Sequence, residues 1–124
     1  MRVDIVTPER QLVSTDAAGV AIPGMEGEMT VMENHTPTVT TLRPGIVRLE
    51  DGTEFVVSGG FAEISESGAS VLAEMAVPRT EATRDLLEDW LKEAEAAFEL
   101  AAEEARTTAA LKVNDMSELI RRLG

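Results

Sequence analysis

Cysteine and tyrosine are absent, and tryptophan and histidine occur once each in 124 residues. Without cysteine there is no disulfide and no thiolate metal ligand. A single histidine falls short of the three or four His, Cys or carboxylate ligands that a zinc site usually takes. Aromatic residues make up only 3%, so the core must be aliphatic, built from Val, Ile, Leu, Met and Ala. Basic residues are also few: 11 Lys and Arg stand against 23 Asp and Glu, a net charge of −12. Nucleic-acid binding rests on cations that neutralise phosphates, so this balance argues against it. It argues equally against docking on anionic lipid. No apolar run approaches the ~20 residues needed to span a bilayer, so no direct membrane insertion is expected. The opening MRVDIVTPER lacks the apolar segment of a signal peptide, which leads to the expectation of a soluble intracellular protein. What is present is enough to fold: 44% of residues are apolar, and the length fits one compact domain or a small domain with an appendage.

Glycine and proline divide the chain in two. Eight of the nine glycines and all five prolines lie at or before Pro78. The first half alternates with period 2 at Val3/Ile5, Val47/Leu49, Phe55/Val57 and Ala62/Ile64, the pattern of half-buried strands. Turn signals separate these runs at Pro23-Gly24, Pro44-Gly45, Asp51-Gly52, Ser58-Gly59-Gly60 and Ser67-Gly68. Asp51-Gly52 predicts a two-residue type I′ hairpin. Eight to ten short strands at this spacing suggest a β-sandwich or flattened barrel. After Pro78 the sequence turns helical. Leu87, Leu91, Ala94, Phe98, Ala101 and Ala105 form one stripe, and Glu88, Glu95, Glu99 and Glu103 face away from it. Trp90 is expected to cover the seam between the helix and the β domain. Thr80 is the expected N-cap, and Asp115-x-x-Glu118 reads as a capping box that opens a short second helix, with an apolar stripe of Met116, Leu119, Ile120 and Leu123. The expected architecture is an all-β sandwich of about ten strands over residues 1–78, followed by an α-helical hairpin over 79–124. The Ala-rich stripe buries little area, so the helix pair reads as an appendage that docks reversibly.

Residues 21–37, AIPGMEGEMTVMENHTP, concentrate turn chemistry around the only histidine. No nucleophile elbow of the G-x-S-x-G kind occurs, so a serine triad is not indicated. GMEGEM lacks the lysine of a phosphate cradle, and its acids would repel phosphate. His35 reads first as the donor of a structural hydrogen bond near a turn, and second as an interface residue. Gly59-Gly60 marks a bulge or a close backbone approach. The acidic helix face reads as solvated, since exposed carboxylates lack the burial that tunes a general acid. The catalytic inventory is empty, and no metal or cofactor is implied. A binding or coupling module remains.

Five segments in register resemble a known family: IVTPER (5–10), IPGMEGEMTVMENHTP (22–37), LRPGIVRL (42–49), FVVSGGFAEI (55–64) and SVLAEMA (70–76). They are similar to the epsilon subunit of bacterial F-type ATP synthase, the counterpart of the mitochondrial delta subunit. The resemblance implies a ten-stranded β-sandwich with a helical hairpin. It implies a non-catalytic subunit of the central rotor stalk, which binds the gamma subunit and the polar loops of the membrane c-ring. It places the protein peripherally, on the cytoplasmic face of the bacterial inner membrane. In many members the hairpin extends along gamma toward the catalytic head, where it can reach the beta subunit and inhibit ATP hydrolysis. By the same resemblance, Glu28 follows the second glycine of a ring-facing G-x-x-G-E loop. His35 belongs to the contact surface for gamma and the ring, and Arg43 and Pro44 lie in a second ring-facing loop.

Two departures stand out. Glu33-Asn34 replaces the Pro-Gly common before the histidine, a turn that Asn still permits because it tolerates positive φ. Some members bind ATP through Ile/Leu-Asp-x-x-Arg-Ala; here Leu87, Glu88, Leu91 and Lys92 occupy those places and the phosphate-binding cation is missing, so no ATP binding is expected. The missing cation and the short second helix weigh against inhibition by the tail. The alternatives are a free-standing sandwich adaptor that dimerises through its helices, and a small metal-dependent enzyme built on His35.

Overall fold

The computed structural model describes residues 1–123 and contains ten strands, two α-helices and two short 3-10 turns. The strands are β1 (Arg2–Val6), β2 (Gln11–Asp16), β3 (Gly19–Gly24), β4 (Gly27–Met32), β5 (Thr38–Leu42), β6 (Gly45–Leu49), β7 (Glu54–Val57), β8 (Gly60–Ile64), β9 (Gly68–Ala73) and β10 (Ala76–Pro78). Their order is β10-β7-β6-β3-β5-β8-β9-β1-β2, with β4 also on β3. The link from β3 to β5 is the single position Gly24–Leu42. The sheet therefore folds over at that point into two layers: β10-β7-β6-β3-β4 and β5-β8-β9-β1-β2. All pairings are antiparallel except β1 with β9, which runs parallel from Arg2–Gly68 to Val6–Leu72.

Alternation fills the space between the layers. Val20, Ile22, Val31, Val47, Leu49, Phe55 and Val57 face in from one layer; Val3, Ile5, Leu42, Ala62, Ile64 and Val71 face in from the other. The core is aliphatic apart from Phe55, as the scarcity of aromatics requires. Each expected inward pair is buried, from Val3 and Ile5 at 0% to Phe55 at 6% exposure.

The β6–β7 connection differs from the expected type I′ turn. Gly52 N–H bonds to Leu49 O at 2.9 Å, and Leu49 N–H bonds to Thr53 O at 2.8 Å. Only Gly52 has positive φ, at 95°. This is a three-residue loop, a turn closed by a glycine in the left-handed region. Asp51 keeps negative φ, and its carboxylate accepts the Thr53 N–H at 2.9 Å, a local bond across the turn. That bond holds the Asp51 carboxyl below its ordinary value.

The compact unit Met1–Arg79 ends there, and a second begins at Thr80. Helix α1 spans Arg84–Leu100 and α2 spans Arg106–Leu123. The α1 N-cap is Thr83, whose hydroxyl accepts the Leu86 N–H at 3.2 Å. Thr80, the expected cap, lies instead within a 3-10 turn, Arg79–Glu81. Asp115 is likewise no cap: it sits inside α2, whose 18 residues match the 17 of α1. The run RTTAALKVN holds good helix formers and no breaker, so the helix continues through it. The break falls earlier, where Ala101 and Ala102 adopt extended backbone with ψ of 138° and 158°. Beside it, the Arg106 guanidinium lies 4.5 Å over the Phe98 ring. The buried stripe of α1 is Leu87, Trp90 and Ala94; that of α2 is Met116, Leu119 and Ile120. Ala105, expected in the α1 stripe, is exposed because it lies beyond that helix.

Candidate interaction surface

The β3–β4 hairpin turns at Met25-Glu26, between the paired Gly24 and Gly27. Glu28 pairs with Pro23 one step into the strand and is exposed. It therefore sits on the shoulder of the hairpin and not at its tip, which belongs to Met25 and Glu26. The β5–β6 corner comes to the same end. Arg43 N–H bonds to Pro23 O at 2.9 Å, and Pro44 follows it, half-buried. Glu28, Arg43 and Pro44 are thus gathered at one end of the sandwich, around Pro23.

His35 is not with them. It lies past Met32, which pairs with Gly19 at the far end of the hairpin. Met32 lies four steps along the strand from Glu28, about 13 Å at the usual rise. The histidine turn is built locally. Asn34 takes φ of 68°, the one non-glycine residue with positive φ among the described residues. Asn34 N–H bonds to Glu66 O at 2.9 Å, which ties this turn to the β8–β9 connection. The His35 Nδ1–H donates to Thr36 O at 2.7 Å, a structural bond next to a turn. Among the described residues no group of three His, Cys, Asp or Glu is placed to hold a metal. Ser58 is the only fully buried polar side chain among them. Its hydroxyl accepts the Met75 N–H at 3.1 Å, so it staples the chain where β7 ends.

On α1, Leu87 is buried and Leu91 half-buried. Glu88 accepts from the Arg84 guanidinium at 2.8 Å. The three residues therefore serve packing and a surface ion pair.

One surface was not singled out by the sequence. With Ala62 and Ile64 inward, Phe61 must face out, and it is 45% exposed. It pairs with Leu72 of β9, which in turn pairs with Val6 of β1, giving an apolar strip across three strands. Val39 on neighbouring β5 is 71% exposed. A shallow groove of about 450 Å³ runs along Val6, Thr7, Pro8, Phe61 and Leu72. The signal was available: Phe61 on the outward phase of its strand, with Leu72 and Val6 as cross-strand neighbours, makes a contiguous apolar patch, and such patches mark interaction sites.

Residues 1–79 match the family model described as the beta-sandwich domain of the ATP synthase delta/epsilon chain. The chain belongs to the ATP synthase delta/epsilon family. It is 50% identical over 107 residues to the ATP synthase epsilon chain of Ruegeria sp., covering 84% of this chain and 78% of that one. It is 45% identical over 122 residues to the epsilon chain of Fuscovulum blasticum, covering 96% and 92%. A chain in the structure of the Euglena gracilis mitochondrial ATP synthase (OSCP, F1 and c-ring) superposes with a TM-score of 0.69 at 27% identity, over 98% of this chain and 80% of that one. A chain in the central stalk and c-ring of the Tetrahymena thermophila enzyme superposes with a TM-score of 0.71 at 15% identity, over 98% and 94%, a likeness of fold. The family's sandwich is thus the unit that carries both the gathered polar end and the apolar strip.

Proposed function

We propose that this delta/epsilon-family chain is a central-stalk subunit of F1Fo ATP synthase, a non-catalytic part of the rotor that couples rotation of the c-ring and gamma to ATP synthesis. The observation that carries the reading is similarity to ATP synthase epsilon chains along nearly the whole chain, at 45% identity over 96% of its length. The two surfaces fit two partners. Glu28, Arg43 and Pro44 present polar and stiff groups at one end, suited to the polar loops of the ring. The strip of Val6, Phe61 and Leu72 offers apolar area on a flat sheet face, suited to gamma. His35, at the opposite end from Glu28, goes with gamma in this reading.

Among the described residues no helix is long and apolar enough to cross a membrane. Attachment to the cytoplasmic face of the inner membrane would then be peripheral, through the ring and gamma. Purified protein mixed with gamma should form an equimolar complex on size exclusion, and that complex should retain detergent-solubilised c-ring. Failure to co-elute with gamma refutes the proposal. With α2 as long as α1, the short-helix argument against tail inhibition no longer applies. A rise in ATP hydrolysis when residues 80–124 are removed from the assembled complex would establish inhibition.

A further inference from the structure

The outer half of the β3–β4 hairpin has little sheet beside it, although Ile22 on its inner face is buried in the core. β6 supports β3 only at Val20–Leu49 and Ala21–Arg48. Beyond that, residues 22–29 continue as a two-stranded ribbon, and such a ribbon is marginally stable when unaided. Glu28 lies on the exposed side of this ribbon, so its stiffness depends on what holds the ribbon from the side.

Three features tie the ribbon to the β5–β6 corner. Gly24 pairs with Leu42, the one ladder position that joins the two layers among the described residues. Arg43 N–H bonds to Pro23 O at 2.9 Å. Gly45 packs against Pro23 so closely that a Cβ added to it would stand 2.8 Å from Pro23 Cβ and 3.1 Å from Pro23 Cγ. Real Cβ atoms do not approach carbon to 2.8 Å, so Gly45 leaves room for the proline ring and for nothing more.

We propose that Pro23 and Gly45 are positioning residues that clamp the hairpin and the corner into one rigid bracket, through which load passes between the ring and the sandwich. The proposal rests on the assignment of Glu28, Arg43 and Pro44 to the ring. The clamp acts on stiffness and not on affinity, because neither residue has to touch the partner.

The test uses assembled complexes in membrane vesicles carrying Gly45→Ala, Pro23→Gly, or both. Gly45→Ala drives the two loops apart. Pro23→Gly removes the contact without crowding. In the double variant the new methyl group occupies space that the proline has vacated. ATP-driven proton pumping per ATP hydrolysed should fall severalfold in each single variant and recover in the double variant, while gamma and c-ring still co-purify with all three. Unchanged pumping in Pro23→Gly overturns the proposal, even if Gly45→Ala fails to fold. A loss that the double variant does not recover overturns it as well. Failure of the unsubstituted chain to co-purify with the ring would instead refute the docking assignment beneath it.

Discussion

Replacing Phe61 with alanine should weaken binding to gamma while leaving the sandwich folded. The side chain is 45% exposed, and a phenylalanine presents roughly 200 Å², so about 90 Å² remains to be covered by a partner. At about 25 cal/mol per Å² this is worth about 2 kcal/mol, or about thirty-fold in Kd. The fold bears a cost of similar size, because the rest of the ring packs against its cross-strand neighbours Thr41 and Leu72, pairs worth about 0.2–1 kcal/mol each. Titration calorimetry of gamma into each protein, alongside thermal melts, separates the two effects. Burial of the strip should also appear as a negative heat-capacity change that shrinks in the variant. A Kd within about threefold of the unsubstituted protein, measured where both proteins are folded, would refute the assignment of this face to gamma.

Gly60→Ala should destabilise the sandwich by more than about 2 kcal/mol in urea unfolding, because strain and overpacking combine. Gly60 has φ of 134°, and an added Cβ would meet Leu72 O at 2.2 Å; a midpoint equal to that of the parent would show that the close approach is not rigid. Residues 1–79 alone should melt cooperatively, since the buried cluster between the layers lies wholly within them; a broad, non-cooperative melt would show that the helices complete the core. Asp51→Ala should lose a pH-dependent contribution. The folded carboxyl is held below its usual 3.8 by the Thr53 bonds, so the contribution is complete above that value and disappears as pH falls through the lower, folded one. The gap in urea midpoint between parent and variant should therefore be steady near neutrality and close in acid; a gap that is the same at pH 7 and in strong acid would rule this out. Adding ATP should leave the melting temperature unchanged, because α1 carries Leu91 where ATP-binding members carry arginine; a concentration-dependent rise would contradict it.

The β-sandwich was legible because its signals are local and redundant. Period-2 alternation at Val47/Leu49 or Ala62/Ile64 declares which face is inward, and turn residues bound each run. Asn34 was readable as permitting positive φ, because it stands where similar chains commonly have glycine and Asn tolerates that region. The helical unit was harder, because caps are decided by backbone conformation and not by composition. Asp115-x-x-Glu118 has the letters of a capping box, yet nothing in the preceding residues stops the helix that runs through it. The break at Ala101–Ala102 uses two of the best helix formers, so no reading of propensity would place it there. The site was half legible. Arg43 and Glu28 are separated in sequence and come to the same end of the sandwich because the β5–β6 corner pairs with the hairpin at Gly24–Leu42. Glu28 and His35 lie close in sequence and are held apart by the strand between them, a straight element that sequence distance understates.

The parallel pairing of β1 with β9 sets an order of events during synthesis. Arg2 waits for Gly68 and Val6 for Leu72, a separation of 66 residues in each case. At about 5–20 residues per second, ribosomes need roughly 3–13 s to deliver the partner strand. Until then Val3 and Ile5, both fully buried in the finished protein, can be shielded only by the β1–β2 hairpin or by a chaperone. The first strand made is among the last to reach its final place, and the nascent chain is most vulnerable to aggregation while β3 to β8 are emerging.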